Sequence, residues 1–393
     1  MGSPSALRKL NDRAALYALL EFGPLSRHDL EQAIRVSRPA AAELLRRLEE
    51  SGLARRAGNR PGAPGARGPQ AQLWVVEETA AYAAGVDVSH SGIDVVIADL
   101  SGRQLGECTV TVDGNEDPGL LVRKALGKAA RRAGIRRADV RQVVVGISGS
   151  VEPQSGMLSH AEHIAEWTGF NVQERLRETL KIPVEVENDV KLVLSDEAMR
   201  GRAVGSKDVL LFWMGQGIAS AVIAGGKLQR GFHGSAGELG LVPVAPGGPL
   251  ADELVSAKGV LALAHDYGIT ASNAVQVLEA ARSRAGTGDD YDRFLSTFSD
   301  RISTVLAAPV AVIDPELIIL AGDIGTAGGD ELAEHVRSRL HDLLAHRPRV
   351  VPGTGYDNSV RHGALDESLR RLRKTVFEDA RKHRSTANSR AHR

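Results

Sequence analysis

Residues 83–112, AAGVDVSHSGIDVVIADLSGRQLGECTVTV, decide the fold. Apolar residues alternate from Ala83 to Val88, a turn follows at Ser89 to Gly92, alternation resumes, and a second turn at Ser101-Gly102 leads into a third run. Period-two alternation broken by short Ser/Gly turns predicts an antiparallel meander of three strands. Downstream, Leu120 to Gly134 reads as a helix and Val143 to Ser148 as a fully buried strand. Beyond an amphipathic helix, IPVEVEND reads as another strand, ending at Asp189. The succession restarts at Val209: a strand, a turn, the strand SAVIAG, a turn at Gly225-Gly226, and later the buried strand ELIILAG at Glu316 to Gly322. Each half opens with hairpin strands and closes with helices and parallel strands, which predicts an internal duplication around a central cleft.

With 393 residues, 42% hydrophobic and 25% charged, the chain is long enough for two or three cores. No stretch approaches a membrane span and the N-terminus has no signal-peptide pattern, so a cytoplasmic protein with no membrane partner is expected. The single cysteine, Cys108, excludes an intramolecular disulfide framework and a cysteine-rich zinc site; within GECTVTV it reads as a small core residue. A formal net charge of zero hides a segregated distribution. Residues 1–75 carry 12 Lys/Arg against 7 Asp/Glu, residues 370–393 carry 9 against 2, and the chain between them carries 28 against 40. Basic ends on an acidic body suit a small DNA-binding head and argue against wrapping nucleic acid along the whole length. The end, RKHRSTANSRAHR (381–393), reads as a disordered basic tail.

Within the basic head, SRHDLEQAIRVSRPAAAELLRRLEESG (Ser26 to Gly52) reads as helix, tight turn and helix. Ser26 and Asp29 have capping-box spacing, and Leu30, Ala33 and Ile34 give the first helix one apolar face. Ser37 starts the second helix with Pro39 in its first turn. Leu44, Leu45 and Leu48 supply its buried face, while Arg38, Ala40, Ala41 and Glu43 point elsewhere. Small residues at an exposed helix start suit a major groove, and Arg46, Arg47, Arg55 and Arg56 suit flanking phosphates. Two short amphipathic helices joined by a turn also occur in many all-α domains. The flanking strands, Leu53 to Arg56 and Gln72 to Val76, make this a winged helix-turn-helix. Their connecting loop, GNRPGAPGARGPQ, with Arg60 and Arg67, suits a wing on DNA and equally a solvated linker. The candidate DNA contacts are Ser37, Arg38, Pro39, Ala40, Glu43, Arg46, Arg60 and Arg67.

GVDVSHSGIDVVIADLSG, VVVGISGSVEPQSG, VEVENDVKLVLSDE, GQGIASAVIAGGKLQRGFHGSAGELG and LIILAGDIG follow one another as in the ROK family of repressors and sugar kinases, which the chain resembles over nearly its whole length. With the winged helix it resembles the repressor branch, which includes xylose- and N-acetylglucosamine-responsive regulators. The resemblance implies an α/β chain: a winged helix-turn-helix at 1–76, then a two-lobed actin-like, hexokinase-type domain. Lobe 1 is expected at 82–195, completed by a C-terminal helix near 360–380, and lobe 2 at 196–359. It also implies that Asp189 of the Asn188-Asp189 pair stands where ROK kinases keep the general base, and that Glu187, Asn188, Gly149 and Glu238 contact sugar. Hydroxyls both donate and accept, so carboxylates and an amide at a buried strand end suit a polyol, although a strand-end turn would use the same residues. His163 stands at a sugar-contacting position, where an imidazole is as readily a surface or structural group. His233, between turn glycines, is a weaker candidate.

Three departures from the kinase pattern bear on activity. The first turn reads Asp87-Val88-Ser89-His90-Ser91-Gly92. The second loop reads Gly215-Gln216-Gly217-Ile218-Ala219-Ser220-Ala221, with Gln216 for the family's threonine and methyl groups at Ala219 and Ala221 where kinases have glycine. Leu241 replaces the histidine after GELG, and the segment that follows has no cysteine, so the family's zinc motif is missing and no cofactor is expected. The expected protein is a sugar-responsive regulator, most simply a repressor. Its partners would be a double-stranded palindromic operator, a small carbohydrate effector and further copies of itself in a homodimer or homotetramer. An ATP-dependent sugar kinase and a DNA-binding regulator with a vestigial pocket are the alternatives.

Overall fold

The computed structural model describes residues 4–60, 70–89, 92–111, 117–152, 154–159, 167, 170–345, 347–355 and 358–378. The head contains α1 (Pro4–Phe22), β1 (Leu25–Ser26), α2 (Arg27–Ile34), α3 (Arg38–Glu50), β2 (Ala54–Asn59) and β3 (Gln72–Val76), its strands ordered β1-β3-β2. The Ser26 hydroxyl accepts the Asp29 amide at 3.3 Å while the Asp29 carboxylate accepts the Ser26 amide at 2.8 Å, which closes the capping box. Leu44, Leu45 and Leu48 are buried as expected. Ala41 is a correction: it is fully buried, because at three, four and seven residues before those leucines it lies at the middle of their stripe. Ala33 is exposed, since α2 meets the core only along the i, i+4 pair Leu30 and Ile34. Helix α1, which the sequence reading passed over, buries Ala15, Leu16 and Leu19 against them.

The body begins with β4 (Tyr82–Ser89), β5 (Gly92–Asp99) and β6 (Gln104–Val110), the expected antiparallel meander. Next come α4 (Pro118–Arg132), β7 (Val140–Ile147), the short pair β8 (Ser150–Val151) and β9 (Leu158–Ser159), α5 (Val172–Leu180) and β10 (Val184–Asn188). Helix α6 (Asp189–Arg200) leads to β11 (Val209–Met214), β12 (Ile218–Ala224) and β13 (Lys227–Leu228). Helices α7 (Ala251–Val255), α8 (Ala257–Asp266), α9 (Ala274–Ser283) and α10 (Asp290–Ile313) follow, then β14 (Leu317–Ala321), α11 (Gly322–Leu343), β15 (Arg349–Pro352) and α12 (Ser359–Glu378). The sheets are ordered β10-β7-β4-β5-β6 and β13-β12-β11-β14-β15. Each has its first strand in the centre, two antiparallel strands on one side and two parallel strands on the other, so the duplication is real at the level of topology.

Alternation along the strands sends side chains to two cores. Val86, Val95 and Val145 pack under α4 and α5, whereas Ala83, Val96 and Val144 face α12. The second sheet rests on α7–α11 through Leu210, Phe212 and Ile318, and on α6 through Val209, Leu211 and Ile319. Helix α6 runs unbroken across the boundary expected at 195/196 and serves both lobes: Val190, Val193 and Leu194 pack on the second sheet and Leu192 on Val144 of the first. Glycines let α12 lie directly against its neighbours. A Cβ on Gly363 would fall 2.1 Å from the Leu192 carbonyl oxygen, and one on Gly85 would fall 2.4 Å from the Leu365 amide.

The far end of α12 meets the head. Leu369, Leu372, Val376 and Phe377 share one apolar cluster with Leu16, Leu19, Leu30 and Leu44, and the Tyr17 and Phe377 rings meet edge to face at 5.2 Å. Gly363→Leu forces α12 off α6 and is expected to cost about 1–3 kcal/mol, the range for overpacked cores. A wild-type unfolding temperature for that variant would refute this packing.

Candidate functional site

Parallel strands deliver their C-terminal ends to the space between the lobes, where loops carry the polar groups. Asn188 ends β10 and caps α6: its Oδ1 accepts the Lys191 amide at 3.0 Å, and its Nδ2 donates to the Gly149 carbonyl at 3.1 Å. Asp189 opens the helix, where the dipole favours a carboxylate, and accepts the Ser148 hydroxyl at 2.5 Å. Glu238 accepts the hydroxyl of the fully buried Ser150 at 2.9 Å. Three consecutive residues after β7, Ser148, Gly149 and Ser150, therefore hold Asp189, Asn188 and Glu238, one each. Glu187, also buried, accepts from the Asn188 amide at 3.1 Å and from Arg230 Nε at 2.5 Å. The structure thus brings together five candidates from distant parts of the chain: Gly149, Glu187, Asn188, Asp189 and Glu238.

Sequence reading missed the groups that hold them. Ser148 and Ser150 flank a glycine at a strand end, a pattern that by itself marks only a turn. Lys191 is 2% exposed on the first turn of α6, and its Nζ donates to the Gly234 carbonyl. Burial pulls the ammonium below the usual lysine range against the opposing pull of Glu187 and Glu238. Lys191 and Arg230 together tie the 230–238 loop to the β10–α6 corner. Gly237 completes the loop: its φ is +98° and a Cβ there would fall 2.0 Å from the Ser220 carbonyl oxygen. His233 is exposed and lies 3.6 Å from the Glu152 carboxylate. His163 lies outside the described residues.

The ROK family model matches residues 83–365, well over half of the chain. The chain belongs to the ROK family. Among curated relatives, a glucokinase from Halalkalibacterium halodurans is 26% identical over 297 residues, covering 69% of this chain and 88% of that protein. The DNA-binding transcriptional dual regulator NagC of Escherichia coli is 24% identical over 251 residues, 63% of this chain; the match spans only 60% of NagC. A crystal structure of a ROK family transcriptional regulator, a homologue of the E. coli MLC protein, superposes with a TM-score of 0.72 at 16% identity, covering 95% of this chain and 97% of that one. That likeness extends the shared fold through the head.

Seen as a ROK protein, the chain has a second polar region beside the five-residue cluster. A cleft of about 250 Å³ is lined by Asp87, Glu197, Trp213, Asp323, Thr326 and Asn358, among others. Glu197 is already occupied, accepting from the Thr354 amide and hydroxyl and from the Arg202 amide. The carboxylate of Asp252 in α7 accepts the amide of Ile218, the first residue of β12, at 3.0 Å, while Ala219 and Ala221 further along β12 pair with Trp213 and Leu211. Leu241 is exposed. Among the described residues no group of three or more His, Cys, Asp and Glu side chains could hold a metal ion.

In the head, Ser37, Arg38, Pro39, Ala40 and Glu43 are exposed at the start of α3. Arg46 pairs with Glu43 and Glu50, and its hydrogen bond holds the Glu43 carboxyl below its usual range. Arg60 pairs with Asp29, Arg47 with Asp12, and Arg56 with Glu49 while lying 5.3 Å from the Trp74 ring centre. Apart from Arg47–Asp12, whose carboxylate is buried, pairs of this kind are worth about 0–1 kcal/mol, so exchanging them for phosphates costs little. Arg67 lies outside the described residues.

Burial, with Asp189 and Asp94 nearby, pushes the Asp87 carboxyl from 3.8 up to about 7. A folded-state value above the unfolded one means that the ionised carboxylate disfavours folding. The penalty is absent below about pH 4, grows between the two values and is complete above about pH 7. Asp87→Asn is therefore expected to raise stability at pH 8 by up to about 4 kcal/mol, at 1.36 kcal/mol per pH unit, and to leave it unchanged at pH 4. Urea titrations at both pH values check this; a variant no more stable than wild type at pH 8 contradicts it.

Proposed function

We propose that this ROK protein is a transcriptional regulator, acting as a repressor, whose interlobe site binds a small carbohydrate and whose winged helix-turn-helix binds a palindromic operator. One observation carries the reading: the head is seated on α12, and α12 begins at the cleft. Ser359 and Val360 line the cleft at one end of the helix, and Val376 and Phe377 join the core of the head at the other. Linkage does the rest. A sugar that binds more tightly to one relative position of the lobes shifts α12 and the head with it, and DNA affinity changes by the same factor. The exposed start of α3 suits a major groove, and a dimer or tetramer would set two such helices at half-site spacing.

Glu187, Asn188, Asp189 and Glu238 are the proposed sugar contacts, with Gly149 and the two serines as their supports. The resident protein groups suffice, with no metal or cofactor. The site is proposed to work in the cytoplasm; among the described residues no helix is long and apolar enough to cross a membrane. The glucokinase relative keeps a second reading in view, in which Asp189 takes a proton from a sugar hydroxyl. The Asp252 carboxylate weighs against it: it holds an amide of the loop that would have to face ATP phosphates, and it would repel them.

The test is binding of a duplex selected from a random library, with and without a panel of mono-, amino- and oligosaccharides and their phosphates. Wild type is expected to lose affinity with one sugar class, and Glu238→Ala to keep DNA binding but lose the response. A Glu238→Ala protein that releases DNA normally would refute the site. Arg38→Ala should weaken the duplex by about 1–3 kcal/mol, the worth of one lost contact; unchanged affinity at physiological salt would refute the placement of α3. Magnesium-dependent ATP consumption with any of the sugars would replace this reading by the kinase.

A further inference from the structure

Lobe 1 carries a groove of about 570 Å³ on the outer side of α4, away from both the interlobe site and the head. Its floor is apolar: Leu120, 54% exposed, and Ile135 at its ends, with Gly127 between them. Its walls are cationic. Arg123, Lys124 and Arg131 project along one helical stripe with Leu120 and Gly127, and Arg136 and Arg137 close the far end. Among the described residues no acidic side chain lines it, although the chain between residues 76 and 369 carries 40 Asp/Glu against 28 Lys/Arg. Among the described residues neither Arg123 nor Arg131 has an ion-pair partner. The other two arginines are engaged, Arg136 with Asp139 and Arg137 with the Leu180 carbonyl.

Gly127 is the telling residue. A glycine inside a helix costs about 1 kcal/mol relative to alanine, so a packing reason is expected. Among the described residues none exists: a Cβ there would meet nothing closer than an Arg131 guanidinium nitrogen at 3.9 Å. The open backbone therefore faces outward, where it allows another chain to approach closely. An apolar floor under unpaired guanidinia does not suit DNA, whose backbone offers no apolar group for Leu120 and Ile135. The groove also lies on the face of the first sheet opposite α12 and the head.

We infer that this face of α4 docks an acidic helical segment of a partner protein, with an apolar side chain over Leu120 and Ile135 and carboxylates on Arg123 and Arg131. It is a protein-recognition surface separate from the DNA and effector sites.

The probe is a labelled peptide of about four helical turns with one stripe of Leu and Glu elsewhere, read by fluorescence anisotropy against the full-length protein. Wild type is expected to bind it. Arg123→Glu combined with Arg131→Glu, and separately Gly127→Gln, should each weaken binding at least roughly tenfold, with operator affinity unchanged and the unfolding temperature of Gly127→Gln no lower than that of wild type. Gly127→Gln has open space and better helix propensity, so it keeps the test valid if the charge-reversed variant folds poorly. A peptide with Ser in place of Leu should bind as weakly as the variants are bound. Failure of wild type to bind overturns the inference. So does equal binding of the Ser peptide with Gly127→Gln neutral, which would leave only a diffuse cationic patch. Competition by a random duplex would make the surface one for nucleic acid, and altered sedimentation of the groove variants would make it a contact between copies; either result also overturns it.

Discussion

Two sheets that are apolar on both faces cannot confront each other across water, and among the described residues the space between them is filled by two helices, α6 and α12. Nearly everything else follows from that. Because α6 starts directly from β10, its N-terminus is fixed at the strand end, and Asn188 and Asp189 are held at the entrance to the space between the lobes. Because α12 returns from the end of the chain, it can touch the first sheet, α6 and the head in one uninterrupted run. The close approaches at Gly85 and Gly363 leave no room for slack between these layers. A displacement at one lobe is transmitted as movement of a rigid body, since packed interiors do not deform continuously.

The body was readable from sequence because its strands announce themselves. Tyr82–Ser89, Gly92–Asp99 and Val209–Met214 are runs of Val, Ile, Leu and Ala bounded by Gly or Ser turns, and their alternation carries the sheet order with it. Helix α1 was not read, since its apolar residues spread around the cylinder and Leu7 and Leu10 stay exposed. The strand Arg349–Pro352 is too short and too charged at its start to stand out, and owes its place to pairing with β14. Ala41 was set on the wrong side for want of a contrast between alanine and its neighbours. In the candidate site, Asn188, Asp189 and Glu238 were visible through motif resemblance, but Ser148, Ser150, Lys191 and Arg230 were not. Their role is to bond across the fold, over 41, 88, 43 and 43 residues of sequence, and no local pattern encodes a partner at that distance.

Those long-range bonds also hold the loop after β13. A buried ammonium on a carbonyl and a guanidinium on a carboxylate are charge-assisted hydrogen bonds, each worth about 1.5–3 kcal/mol. The order of the loop depends on the protonation of one lysine and on salt screening at the half-exposed Arg230.

Three tryptophans occupy three different parts of the molecule. Trp74 packs in the head beneath Arg56, Trp167 is enclosed in the core of lobe 1, and Trp213 lines the cleft with its indole nitrogen beside Gly215. The indoles differ in their neighbours and burial: Trp74 lies beneath Arg56, Trp167 is buried and Trp213 is only partly so. The chain thus carries a native optical reporter in the head, in one lobe and at the cleft. With two of the three replaced by phenylalanine, the emission of the remaining one follows each region separately, without a label and without disturbing the charged residues around it.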